Sequence, residues 1–162
     1  MNIKENKWTE LPDLNTGRYY HSSCSFNESK VFVFCGIEHM TKKYLDTIEF
    51  LNLSEKELGW QKFEVNYGEK VTWPLISGRQ GLGTCQYDND SVMLIGGYTQ
   101  GVFSDESFII DVETRTFRSK ATLPIEAFPF AMPTVSDISN KIVYTVDWSK
   151  FKVMKFHEDK WS

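Results

Sequence analysis

The chain is short of arginine, of cysteine and of long apolar runs, and each shortage excludes a class of function. Only four arginines (Arg18, Arg79, Arg115 and Arg118) occur in 162 residues, and the lysines are scattered. A nucleic-acid binder clusters its basic residues to neutralise phosphates. With a net charge of −4 and a pI near 5.4, the chain is not expected to bind nucleic acid. No stretch approaches the roughly 18 apolar residues of a membrane span, and residues 1–7 lack the apolar core of a signal peptide. A soluble, cytoplasmic protein is the expectation, with no membrane partner.

The three cysteines, Cys24, Cys35 and Cys85, include no C-x-x-C pair and cannot all pair with one another. They read as buried, reduced thiols that act as small hydrophobes. His21, His39 and His157 fall on three separate elements, with no i, i+4 pair and no cysteine at zinc spacing. No metal site and no cofactor are predicted. Ser22 and Ser23 beside His21 lack the G-x-S-x-G context of a nucleophile elbow, so no catalytic residue is predicted either.

What the chain has is aromatic side chains, at 15%, and a repeated strand. Val92-Met93-Leu94-Ile95-Gly96-Gly97 is an apolar run ended by a glycine pair. Its sister, Val31-Phe32-Val33-Phe34-Cys35-Gly36, lies 61 residues upstream, and a worn third copy is Ile142-Val143-Tyr144-Thr145-Val146-Asp147. Residues 18–26 align with 79–87 without a gap, matching Arg18 to Arg79, Cys24 to Cys85 and Phe26 to Tyr87. The polar turn Asn27-Glu28-Ser29 answers Asp88-Asn89-Asp90. Self-similarity at a fixed period signals a repeat architecture.

Each unit reads as four strands joined by short turns, an antiparallel meander. In the first unit the strands fall at 18–26, 30–35, 45–53 and 60–65. A further strand at 7–11 begins near Trp8 and breaks at Pro12. The aromatic markers Trp8, Trp60, Phe117 and Trp161 stand 52, 57 and 44 residues apart.

Two motifs reduce to turns. Gly78-Arg79-Gln80-Gly81-Leu82-Gly83 is glycine-rich, but its spacing is neither G-x-G-x-x-G nor a P-loop, and a strand follows it. Without a helix N-terminus no dipole holds a phosphate. Asp88-Asn89-Asp90 lacks the later ligands of a calcium loop and, by its alignment, is a β-turn.

A unit of roughly 50 residues with an internal glycine pair and a late tryptophan resembles the kelch repeat, whose architecture is the β-propeller. The second unit fits as Gly96-Gly97, Ile110-Asp111 and Phe117, and the first as Cys35-Gly36, Leu51-Asn52 and Trp60. The third has lost the glycines and keeps an aromatic region at Phe156 and Trp161. The resemblance implies an all-β kelch-type propeller of about three four-stranded blades, near 18–66, 79–121 and 129–162. It also implies that the aromatic opening the fourth strand packs between neighbouring blades. Arg18 and Arg79 would then sit at the inner rim, satisfying carbonyls or meeting a ligand.

Propellers close with roughly 4–8 blades, and three leave faces and edges open. Two arrangements would supply the rest. In one, the strand at 7–11 completes the third blade of a second copy, giving a twofold six-bladed homodimer. In the other, the residues are a piece of a longer propeller or half of a hetero-assembly.

The expected function is a non-catalytic interaction module or scaffold for protein partners. The resemblance places binding on loops 38–43, 98–104 and 148–150, with 66–77 and 124–128 between blades. Candidate contacts are Glu38, His39, Lys43, Tyr98, Gln100 and Phe103, together with Arg79 at the rim. Aromatic side chains are the usual anchors at such surfaces. A structural subunit of a larger assembly is the alternative. A propeller enzyme of the oxidase or sugar-processing type is the third reading, but neither its Tyr, Cys and His cluster nor its arginine trio is assembled here.

Overall fold

A computed structural model describes residues 8–66, 78–124, 133–147 and 152–162. In chain order the first strands are β1 (Arg18–Tyr19), β2 (Ser22–Phe26), β3 (Lys30–Phe34), β4 (Ile37–Glu38), β5 (Ile48–Asn52) and β6 (Gln61–Phe63). Next come β7 (Gly83–Gln86), β8 (Ser91–Ile95), β9 (Tyr98–Thr99), β10 (Val102–Phe103), β11 (Ser107–Asp111) and β12 (Phe117–Lys120). The last are β13 (Thr134–Asp137), β14 (Ile142–Asp147), β15 (Lys152–His157) and β16 (Lys160–Trp161). Over the described residues the fold is all-β: three four-stranded antiparallel sheets run β2-β3-β5-β6, β7-β8-β11-β12 and β13-β14-β15-β16. Two small ribbons, β1-β4 and β9-β10, stand beside the first and second sheets.

Local chemistry sets these hairpins. Asn27 and Glu28, at φ 46° and 54°, take the left-handed turn that matches strand twist. In the second sheet Asp88 replaces that geometry with its carboxylate, which accepts the Asp90 N–H at 3.1 Å and the Ser91 hydroxyl at 2.6 Å. Asp111 closes the next turn by accepting from the N–H groups of Glu113 and Thr114 at 3.1 and 2.7 Å. Asn52 accepts from the Ser54 N–H in the same way, at 3.1 Å.

The middle sheet is buried on both faces because its strands are apolar at both parities. Val92, Leu94, Phe108 and Ile110 pack with Phe26, Phe32, Phe34, Ile48 and Phe63 of the first sheet. Met93, Ile95, Ile109 and Cys85 pack with Val143, Met154 and Phe156 of the third. Alternation of side chains along one strand therefore feeds two cores. The first strands of the sheets, β2, β7 and β13, lie next to one another. Ser22 and Thr84 join β2 to β7 through their hydroxyls at 2.7 Å.

Several sequence expectations shift. The strand expected over 18–26 is broken at Tyr20, whose φ of 54° turns β1 away to pair with β4. Residues 8–11, of the strand expected at 7–11 to complete a blade outside this chain's own three, make no pairing among the described residues and leave that expectation untouched. Trp8 is 78% exposed. The third sheet has a fourth strand, the two-residue β16. Its register also moves: Val143 is opposite Phe156 as Val92 is opposite Ile110 and Val31 opposite Leu51. The slot of Gly96 thus falls on Asp147, one residue later than the sequence comparison has it.

The aromatic markers differ in their surroundings. Phe117 packs on the core of the first and second sheets, and Trp161 on that of the second and third. Trp161 donates its indole N–H to the Ala121 carbonyl at 2.9 Å. Trp60 is half-buried and donates its own to Pro12 at 2.8 Å. Among the described residues it faces the N-terminal segment and belongs to neither shared core.

Candidate functional site

The two small ribbons and the loop between them form the most elaborated surface of the protein. At its centre lie residues 78–81, buried throughout. This loop has no sheet of its own, so its backbone groups bond outward on both sides. The Arg79 carbonyl accepts from the Gly36 N–H at 2.7 Å, and the Arg79 N–H donates to the Leu45 carbonyl at 3.2 Å. Gln80 and Tyr98 exchange both backbone bonds, at 3.0 and 2.9 Å, and the Gly81 N–H donates to Tyr20 at 2.9 Å. Gly78, at φ 67°, leaves no room for a side chain: a Cβ there would stand 2.6 Å from the Tyr44 carbonyl carbon. The glycine-rich stretch is a buckle holding three tyrosines, Tyr20, Tyr44 and Tyr98, in place.

Around it the aromatic rings line up. Tyr98 lies 4.8 Å from Phe103 and 6.5 Å from Tyr44, centroid to centroid. Phe103 is opposite Tyr98 in the β9–β10 register, and the turn between these strands is Gln100-Gly101 at φ 47° and 90°. Both positive angles belong to the tight turn that suits hairpin twist. On the other side Tyr19 lies 5.1 Å from Tyr20 and 6.5 Å from His39. The Lys42 ammonium sits 5.3 Å from the Tyr19 ring centre, a cation–π contact.

The predicted contacts divide accordingly. Tyr98 and Phe103 meet, with Gln100 exposed at their turn. Glu38 organises its own loop, accepting from the Thr41 hydroxyl, while its backbone bonds Lys42 and Lys43. His39 and Lys43 are exposed in that loop. Arg79 is buried, and its guanidinium donates to the Gly96 carbonyl at 3.0 Å, to the Ser104 hydroxyl at 2.9 Å and to Glu106. The residues that sequence reasoning missed are Tyr19, Tyr20 and Tyr44, which fall outside the repeated positions. In the second unit Gln80 and Gly81 occupy the places of Tyr19 and Tyr20, so periodicity gives them no mark. Loops 148–150 and 125–128, and all but Asn66 of loop 66–77, lie outside the described residues.

Desolvation holds His21 below the ordinary imidazole value, and the neighbouring Arg18 charge works in the same direction. Burial pushes the thiols of Cys24, Cys35 and Cys85 up to about 12, so none is a nucleophile at neutral pH. Among the described residues no group of three His, Cys, Asp or Glu side chains converges on a point where a metal would sit. No helix of the described chain is long and apolar enough to cross a membrane. What the arrangement offers is a rigid aromatic rim with polar loops beside it.

A scan against models of known protein families finds no match for the chain. A search of curated proteins by sequence also finds none.

Proposed function

We propose that the chain is part of a kelch-type β-propeller that acts as a non-catalytic, cytoplasmic interaction module and binds a protein partner through the aromatic rim. The observation that carries this reading is the row Tyr44, Tyr98 and Phe103, beside Tyr20, fixed around a buried loop. Rings held in this way lose little entropy when a partner covers them, and Tyr and Phe supply large contact area per side chain. Variable loops on a rigid sheet scaffold are the usual site of binding. The propeller part of the reading is supported by three meanders stacked through two shared cores. It is further supported by a cleft that draws Cys24, Thr84, Cys85, Thr134 and Ser136 from their adjoining first strands.

The test is a pulldown with Tyr98→Ala and Phe103→Ala against the unmodified chain. The expected result is loss of one shared partner, at about tenfold weaker binding for each variant. Retention of every partner by a doubly substituted, folded chain overturns the reading.

A further inference from the structure

We propose that the exposed face of the third sheet is the seat of a second copy of this chain, covered by that copy's N-terminal segment, residues 8–14. The inference rests on the stacking of the sheets and is independent of the aromatic rim.

Register defines which face is open. Tyr144 and Val146 stand where the second sheet has Met93 and Ile95 and the first has Phe32 and Phe34. Those four side chains are fully covered by the sheet that follows their own. On the third sheet the same face is bare: Val135 is 67% and Val153 69% exposed, with Tyr144 exposed between them. Val135 is opposite Tyr144, and Val153 is opposite Val146, so the apolar patch is continuous across three strands. Lys155, opposite Tyr144, and the exposed Lys160, opposite His157, border it with positive charge on the β15–β16 side. On the β13 side Asp137, opposite Ile142, has its carboxylate taken up by Ser139 and Asn140. A continuous exposed patch marks an interaction surface more strongly than isolated apolar residues do.

The complementary surface is at the other end of the stack. Residues 8–14 are fastened beside the first sheet: Trp60 donates to Pro12 at 2.8 Å, Asn15 Nδ2 donates to Trp60 at 2.6 Å, and the Asn15 N–H donates to Glu49 at 2.9 Å. The segment turns Trp8 and Leu11 to solvent. Glu10 and Asp13 are exposed beside them and form no ion pair among the described residues. An apolar, acidic segment thus matches the apolar patch and the basic border that Lys155 and Lys160 give it on β15 and β16. The contact is head-to-tail, and two of them make a twofold pair if the rotation closes.

Light scattering on the purified chain at high micromolar concentration is the measurement. The expected mass is twice 18.8 kDa. Val153→Glu and, separately, Trp8→Ala should return it to a monomer with an unchanged circular dichroism spectrum. Both positions are exposed, so neither substitution disturbs a core. Glu10→Lys should weaken the pair, and adding Lys155→Glu should restore it. A monomeric unmodified chain overturns the proposal. So does a dimer that survives both Val153→Glu and Trp8→Ala.

Discussion

Arg18 donates through Nη1 to the carbonyl of Cys35 at 3.0 Å. Sixty-one residues later Arg79 makes the same bond to Gly96, also at 3.0 Å. The acceptors stand at equivalent strand ends, at φ 55° and 62°. A strand that ends in a left-handed residue gives up the ladder, and the planar guanidinium supplies its carbonyl with a donor. Each arginine also pairs with a carboxylate, Glu49 in one unit and Glu106 in the other.

The two arginines should differ in what they contribute. The Arg18–Glu49 pair is buried on both sides, whereas Glu106 is half exposed. Arg18→Met leaves Glu49 as an uncompensated buried charge and should cost about 3–5 kcal/mol. Arg79→Met leaves Glu106 free to meet water and should cost less. Adding Glu49→Leu to Arg18→Met should recover much of the loss, because an apolar pair can replace a buried ionic one. Urea denaturation of the four proteins decides it. Equal costs for the two single substitutions would contradict the burial argument.

The glycines offer a second contrast. Gly36 and Gly59 both have positive φ, at 95° and 66°. A Cβ on Gly36 would stand 2.8 Å from the Tyr19 carbonyl oxygen, whereas one on Gly59 would meet nothing within 4 Å. Gly59→Ala should therefore cost only the backbone strain of a side chain held at φ 66° and ψ −167°, a glycine-only region, about 1–3 kcal/mol. Gly36→Ala adds a clash with backbone that cannot move without parting β1 from β4, and should be clearly worse. Thermal unfolding of both variants checks the order.

How far the sequence reveals this structure can be read from the same residues. The pairing of Arg18 with Arg79, the shared turns and the three meanders were legible because strand alternation and turn chemistry are local. The aromatic rim was not, because Tyr20 and Tyr44 reach the neighbourhood of Tyr98 through long-range contacts, the outward bonds of residues 78–81 to Tyr20, Leu45 and Tyr98 and the bridge of Tyr44 to Ile37. Glu49 gave no signal either. A carboxylate in an apolar strand becomes interpretable only once Arg18, 31 residues away in sequence, is seen against it. The sequence comparison sets the third unit one residue out of register because, without its glycines, only the pairing of Val143 with Phe156 fixes the phase.

The thiols provide a third test. Cys35 and Cys85 are buried and Cys24 is half-buried, and burial raises all three to about 12. At pH 8 almost no thiolate is present, so a disulfide reagent should react slowly with the native chain. In denaturant the thiols return to about 8.5, and all three should react within the mixing time. One equivalent released rapidly under native conditions would show that a cysteine is held differently.

Acid should act where the second and third sheets meet. Asp88, in the β7–β8 turn, pairs with Lys141 of the β13–β14 hairpin at 3.0 Å. Partial desolvation alone would raise its pKa. Hydrogen bonds from Ser91, Lys141 and the Asp90 N–H outweigh that, and the carboxyl is held below its ordinary value. A carboxyl depressed in the folded state stabilises it at pH above the unfolded value of about 3.9. That stabilisation is lost as the pH falls through the lower folded value. Asp111, lowered chiefly by its bond from the Thr114 N–H, adds to the same acid limb. Asp88→Asn should therefore be less stable than the unmodified chain at pH 7 and should converge with it at acid pH. Urea midpoints measured from neutral pH down to pH about 2 test this. A gap between the two proteins that stays constant through the acid range would mean that Asp88 contributes by packing and not by charge.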